Sequence, residues 1–341
     1  MNENNLEKIA ISLSKPPKGI LAADESTNTI TKRFDSINVD SSFENRRKYR
    51  ELLFKTHDLN KFISGVILYD ETIRQSTSEG IPFGEFLKNL EILIGIKVDT
   101  GALPLKFNSQ EKITEGLDAL AKRIEEYKNL GAVFTKWRAI IDIDDTNSIP
   151  SDYAIDLNCF NLARYAKIVQ DHGLVPIVEP EVLMDGNHNV DTCYNITSKT
   201  LKSLFNYLNF HNVNLSGILL KPNMVIAGKK CSEQASVEEV ASLTIKCLEE
   251  NVPNQVPGIV FLSGGQSNEL ATQHLNQMNN SSETFSWNLS FSYGRALQQP
   301  ALTAWQGDSK NTKISQDALY KRCNLNSSAT LGEYSIDLEN I

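Results

Sequence analysis

The chain contains no run of eighteen consecutive apolar residues, no CxxC pair, no HxH or HExxH pattern and no basic stretch long enough to follow a row of phosphates. The first absence excludes an ordinary membrane-spanning helix, which needs about 20 apolar residues. The opening MNENNLEKIAISLSKPP also lacks the apolar core of a secretory signal, so the cytoplasm is the expected compartment. The five cysteines, Cys159, Cys193, Cys231, Cys247 and Cys323, are odd in number and widely spread, as in a reduced intracellular chain rather than a disulfide framework. The five histidines are equally scattered, so no metal is expected and any electron sink has to be organic. With 42 acidic against 34 basic residues and a net charge of -8, nucleic acid is not an expected partner. Anionic small molecules are still allowed, because cations gathered in one cleft can oppose the sign of the whole surface.

A length of 341 residues with 40% hydrophobic composition suits one large α/β domain or two ordinary ones. No linker, composition shift or internal repeat divides the chain, which favours a single domain over residues 1–341. Eight short apolar runs read as buried parallel strands: Gly19–Asp24, Ile63–Tyr69, Ile94–Val98, Ala132–Ile141, Leu174–Val182, Leu215–Pro222, Gly258–Gly264 and Trp287–Gly294. Stretches with helical patterning separate them, among them Asn45–Leu59 and Val237–Glu250. Eight alternations predict an α/β fold of the TIM (β/α)8 barrel type, with a doubly wound open sheet as the rival. Leu325–Ile341 is polar with scattered apolar residues and reads as a flexible C-terminal tail.

In a barrel the active site lies at the C-terminal ends of the strands, and these ends are heavily loaded. Asp24 ends the first run, Lys97 the third, Lys136 and Arg138 lie in the fourth, Glu179 and Glu181 in the fifth, Lys221 in the sixth, and Ser263 and Arg295 follow the seventh and eighth. Side chains alternate across a strand, so Lys136 with Arg138, Glu179 with Glu181 and Leu219 with Lys221 each share a face. Any single strand-end charge could simply meet solvent; seven loaded ends favour a site.

Lys221 in LLKPN is costly to bury as a cation unless neighbours accommodate it. Desolvation and a second cation such as Lys136 are the means of lowering an amine's pKa for Schiff-base chemistry. An ion pair with Glu179 or Glu181 is the structural alternative. The carboxylates of VEPE resemble an acid/base pair, Glu179 being the better proton carrier. LSGGQS and SYGR follow the seventh and eighth runs, where barrels commonly bind phosphate on glycine amides, and Arg295 could add a bidentate contact. Trp137 and Trp305 could stack on a ligand ring, but packing is the preferred reading.

Taken together and in order, GILAADEST, GIKVDTG, FTKWR, VPIVEPE, LLKPNM, FLSGGQS and FSYGRAL resemble class I fructose-bisphosphate aldolase, over about Lys18 to Leu302. The resemblance implies a Schiff base between Lys221 and the C2 carbonyl of fructose 1,6-bisphosphate, with no metal or other cofactor. It further implies Glu179 as general acid/base, Lys136 and Glu181 tuning the lysine and the carbinolamine steps, and Asp24 assisting proton removal at C4. Ser263, Gly264, Gly265, Ser292, Gly294 and Arg295 match the pocket for the C1 phosphate, while Ser26, Arg33, Lys97 and Arg138 would lie near the other end. A homotetramer acting on a phosphosugar in glycolysis and gluconeogenesis is the implied assembly and role. The chain ends DLENI where the family's eukaryotic members end in tyrosine, and it carries Thr100 for a lysine and Asn28 for a glycine common in the family. A related aldolase acting on sedoheptulose 1,7-bisphosphate and a barrel kept as a binding scaffold are the competing readings.

Overall fold

The computed structural model describes residues 3–105, 110–281 and 285–340. Ten strands occur in it: β1 (Gly19–Ala23), β2 (Ile63–Leu68), β3 (Leu93–Lys97), β4 (Gly101–Pro104), β5 (Lys112–Glu115), β6 (Phe134–Ile141), β7 (Val175–Val182), β8 (Leu219–Leu220), β9 (Gly258–Phe261) and β10 (Asn288–Tyr293). Eight of them close into one parallel barrel in the order β1-β10-β9-β8-β7-β6-β3-β2, while β4 and β5 form a separate antiparallel hairpin. The TIM barrel expected from the apolar runs is thus the fold, and the open sheet is excluded by the pairing of β1 with β10. Every residue of β1, β2 and β7 is buried, as both faces of a barrel strand must be, which is why these segments read as continuous apolar runs rather than alternating ones. The run at Leu215–Pro222 yields the shortest strand, because Leu215–Gly217 turns as a 3-10 helix first.

Serine and asparagine start the outer helices. Ser26, Ser42, Ser151, Asn189, Ser236 and Ser267 each accept the backbone N–H three residues on, satisfying one of the donors a helix start leaves open. The helix Glu3–Ser14 lies under the barrel and sends Leu6, Ala10 and Leu13 into a core shared with Ile20, Ala22, Ile67, Phe134, Val175, Ile177, Leu219 and Val260. This plug closes the N-terminal mouth with apolar side chains, so the opposite mouth is the one open to chemistry. Trp137 and Trp305 are buried, packing against Tyr165 and against Phe34 and Tyr49 respectively.

The expected flexible tail from Leu325 is corrected. Leu325 to Ala329 complete the helix Thr312–Ala329 with Leu325, Asn326, Ser327 and Ala329 buried, and Tyr334 is buried beyond it. Polar residues misled the reading: Asn326 accepts from Thr272 at 3.1 Å, and Glu339 accepts from Arg322 at 2.5 Å and from Tyr334 at 3.0 Å. These residues are polar because they bond inward. Ile341, the end of that expected tail, lies outside the described residues.

Phe134 fills the barrel where its neighbours have no side chain. It pairs with Gly95, where an added Cβ would lie 2.2 Å from the ring, and a Cβ at Gly65 would lie 3.0 Å from it. Gly95→Ala should therefore lower the unfolding free energy by about 1–3 kcal/mol through overpacking, read from the denaturant midpoint, and Phe134→Leu in the same chain should recover part of the loss. An unchanged midpoint for Gly95→Ala would contradict this packing.

Candidate active site

Strand parity carries the lower core upward into a polar layer. Two residues beyond Ala22 comes Asp24, two beyond Phe134 comes Lys136, two beyond Ile177 comes Glu179, and two beyond Leu219 comes Lys221; each follows an inward apolar residue on the same face. Lys221 lies just past its two-residue strand, but its N–H donates to Val178 O at 2.8 Å, so the ladder to β7 continues through it. The lysine is therefore placed by its neighbour's backbone as much as by its own strand.

All four are nearly removed from solvent: Lys221 and Lys136 are each 4% exposed, Glu179 3% and Asp24 9%. Lys136 Nζ lies 2.7 Å from Asp24 Oδ2 and 3.2 Å from Glu179 Oε2, while Lys221 Nζ lies 3.2 Å from Glu179 Oε1. One carboxylate thus lies between two lysine nitrogens, so the ion pair with Glu179 weighed as the structural alternative in sequence is present. Burial alone would raise the Asp24 and Glu179 carboxyls, but Lys136 and Lys221 outweigh it and hold both below the usual carboxylate range. Burial likewise works against the Lys136 charge, and Asp24 and Glu179 overcome it, so Lys136 is held as a firm cation. Glu181, also buried, lines the same cavity and pairs with Arg138.

A cavity of about 250 Å³ opens over this cluster. Of the residues expected from sequence, Asp24, Ser26, Arg33, Lys97, Lys136, Arg138, Glu179, Glu181, Lys221, Ser263, Gly264, Ser292, Gly294 and Arg295 all line it. Six cationic and four carboxylate side chains face this one space, a positive balance in a chain of net charge -8. Cavities of larger volume occur elsewhere, one of about 600 Å³ near Trp305 and Lys55, but its Arg47 and Lys55 are already matched by Glu44, Glu51 and Glu79, and it holds no buried lysine pair. Among the described residues no group of His, Cys, Asp and Glu side chains could hold a metal ion.

Two expectations about the anion ends change. Gly265 does not line the cavity; its N–H donates to the Met184 thioether at 2.7 Å, and it is Gly264, at φ +57, that turns the loop inward. Arg33 does not sit at the far end with Lys97. A Cβ at Gly294 would lie 3.8 Å from its Nη2, and burial, with the Arg33 charge adding to it, depresses the Arg295 guanidinium, so both arginines gather at the Ser263–Arg295 end. Ser292 points a buried hydroxyl there without a partner in the protein. Gly294 precedes the helix Arg295–Trp305, whose N-terminus adds further unpaired amides. Lys97 and Arg138 hold the opposite end, fastened by Asp99, which pairs with Lys97 at 2.5 Å and accepts the Arg138 N–H at 3.2 Å.

Glu25 was missed by the strand argument, since it follows Asp24 and should point the other way. Beyond the strand end parity no longer applies. Buried at 8% exposure, Glu25 accepts from Arg33 at 2.5 Å and pairs with Arg50 at 2.6 Å, and Gln298 donates to it at 2.8 Å. Burial opposes its charge, but Arg33 and Arg50 keep it ionised below the usual range. Thr29, one turn into the helix capped by Ser26, is a further lining hydroxyl that spacing did not reveal.

Comparison with known proteins agrees with this geometry. A profile of the family described as fructose-bisphosphate aldolase class-I matches residues 5–340. The chain is 52% identical over 335 residues to the "Probable fructose-bisphosphate aldolase class 1" of Xanthomonas campestris pv. campestris, covering 98% of this chain and 99% of that one. It is 49% identical to "Fructose-bisphosphate aldolase 6, cytosolic" of Arabidopsis thaliana, covering 96% and 91%. Its backbone matches the solved structure of fructose-bisphosphate aldolase from Plasmodium falciparum, in complex with TRAP and a small-molecule inhibitor, with a TM-score of 0.95 at 47% identity, covering 97% and 95%. With a closed barrel, a buried lysine pair and matches across almost its whole length, the chain belongs to the class I fructose-bisphosphate aldolase family.

Proposed function

We propose that Lys221 is the amine that forms the imine as this aldolase reversibly cleaves fructose 1,6-bisphosphate to dihydroxyacetone phosphate and glyceraldehyde 3-phosphate, in glycolysis and gluconeogenesis. Class I chemistry runs through a lysine Schiff base and needs no metal cofactor. The single observation that carries the assignment is the Glu179 carboxylate lying between Lys221 and Lys136 at 3.2 Å from each. Lys221 attacks the C2 carbonyl, and loss of water from the carbinolamine needs a proton delivered to the departing oxygen. Glu179, 3.2 Å from the Lys221 nitrogen, takes the proton that this nitrogen loses and delivers it to that oxygen, and so acts as the shuttle. The resulting iminium withdraws the electron pair of the C3–C4 bond as a base takes the C4 hydroxyl proton. Asp24, ionised and 2.7 Å from Lys136, is the carboxylate placed for that step. The aldehyde leaves, the enamine takes a proton at C3 from solvent while Asp24 gives its own back to solvent, and water releases dihydroxyacetone phosphate from Lys221. Lys136 stabilises the oxygen charge that develops during these steps, and Glu181 orients Arg138 beside it.

The two cationic ends suit the two phosphates. Ser263, Gly264, Ser292, Gly294 and Arg295, with Arg33 beside them, receive the C1 phosphate, and Ser26, Lys97 and Arg138 the other. A homotetramer is the proposed assembly; the exposed Phe43, Tyr153 and Phe210 on the outer helices leave apolar surface for such contacts. The cytoplasm is the proposed location, supported by cysteines that are all free thiols and by helices of which none is long and apolar enough to cross a membrane among the described residues.

Borohydride reduction with dihydroxyacetone phosphate should leave a covalent adduct on the peptide containing Lys221, and Lys221→Met should abolish it with the fold retained by circular dichroism. An unlabelled but folded wild-type protein would remove the Schiff-base assignment and favour a scaffold role. Glu179→Gln should lower kcat by about 10²–10⁴-fold, as loss of a positioned proton carrier does, and slow trapping in step; trapping at the wild-type rate would exclude Glu179 from imine formation. Sedimentation equilibrium should return four times the chain mass of 38.1 kDa, and a monomer would refute the tetramer.

A further inference from the structure

The turn that presents Ser263 and Gly264 to the cavity is tied down from behind by two side chains to which the cleavage assigns no part. Gln266 is 4% exposed and His274, on the helix Asn268–Asn279, is 2% exposed. The Gln266 N–H donates to Ser263 O at 3.2 Å and its side-chain Nε2 donates to the same carbonyl at 3.1 Å. Its own carbonyl accepts from Arg295 Nη2. Gln266 therefore sets the spacing between Ser263 and Arg295, the two sides of the anion pocket.

The orientation of that amide is decided by hydrogen-bonding chemistry. Its nitrogen side faces two acceptors, Ser263 O and, at 3.6 Å, the Met224 thioether, so its oxygen must face His274 Nδ1, 2.6 Å away. Nδ1 then carries the imidazole proton, and the unprotonated Nε2 is buried with no protein partner. Burial lowers the His274 pKa to about 4, Glu238 opposing it weakly, so the ring stays neutral at physiological pH. A buried, neutral Nδ1–H donor is a fixed strut rather than a titrating group.

We infer that Gln266 and His274 are positioning residues for the C1-phosphate pocket, acting through the Ser263 carbonyl and the Arg295 guanidinium without touching substrate. This rests on the phosphate assignment above and extends it to a part of the molecule outside the cavity. Because the pocket grips the phosphate throughout the reaction, loosening it weakens ground and transition states alike, and the loss falls on KM rather than kcat.

The test compares His274→Leu with His274→Asn, whose Nδ2 occupies the place of the imidazole Nδ1 and can donate to Gln266. The leucine variant should raise KM for fructose 1,6-bisphosphate and the competitive inhibition constant of inorganic phosphate about tenfold together, as an orphaned buried acceptor implies, with kcat within about threefold. The asparagine variant should restore both. Gln266→Met, which keeps the volume and removes the amide, should repeat the leucine defect and decides the matter if His274→Leu does not fold. Wild-type KM and phosphate inhibition in a folded leucine or Gln266→Met variant would overturn the inference, as would an asparagine variant no better than leucine, which would reduce the role to packing. Trapping at Lys221 in the wild type keeps the parent reading separate: if trapping fails the aldolase mechanism falls, whereas unaffected variants of a protein that traps remove only the strut.

Discussion

Two lysine amines buried side by side, one of them a firm cation, cannot persist without negative charge between them, and that constraint organises this molecule. Moving an unpaired cation into a protein interior costs several kcal/mol even after relaxation. Lys136 and Lys221 are accommodated because Glu179 stands between them and Asp24 closes the other side of Lys136. The same lysines that need these carboxylates hold them ionised against the cost of burial. The burial of both lysines rests on one set of contacts, so weakening one carboxylate disturbs the whole cluster.

The barrel makes that cluster possible by closure. Asp24 and Lys221 are separated by nearly two hundred residues in sequence, yet β1 and β8 reach the same mouth because β10 and β9 lie between them in the ring. The helix Glu3–Ser14 seals the opposite mouth with Leu6, Ala10 and Leu13, and Phe134 fills the interior above it at the expense of side chains on Gly65 and Gly95. A dry lower core under a charged upper layer keeps water from reaching the lysines from below and strengthens each ion pair above.

Around the lysine pair lies a ring of cations, each fastened by a partner of its own. Glu25 and Arg50 steady Arg33, Asp99 steadies Lys97 and the backbone of Arg138, and Gln266 receives Arg295. Each of these cavity cations thus has a fixed partner, some of them, such as Glu25, lining the cavity and others, such as Asp99, behind it. Met184 on the Gly265 N–H belongs to the same outer layer, which is why the second glycine of LSGGQS, though beside the pocket in sequence, is not part of its lining.

The order of strands and the identity of Asp24, Lys136, Glu179, Glu181 and Lys221 were legible in the sequence because burial on both faces and a period of two leave a direct imprint on residue choice. Where that periodicity stops, legibility stops with it. Glu25, Thr29, Gln266 and His274 lie on turns and helix faces whose direction depends on what packs behind them, and Arg33 reached the Arg295 end because Glu25 and its helix hold it there. The polar C-terminal residues read as loose for the same reason, since nothing local distinguishes an asparagine that faces water from one that bonds inward. Sequence alone determined the barrel and its inward charges through local periodicity; the tertiary structure decided which charges pair, which glycine turns inward and what holds the pocket, because those outcomes depend on distances between residues remote along the chain.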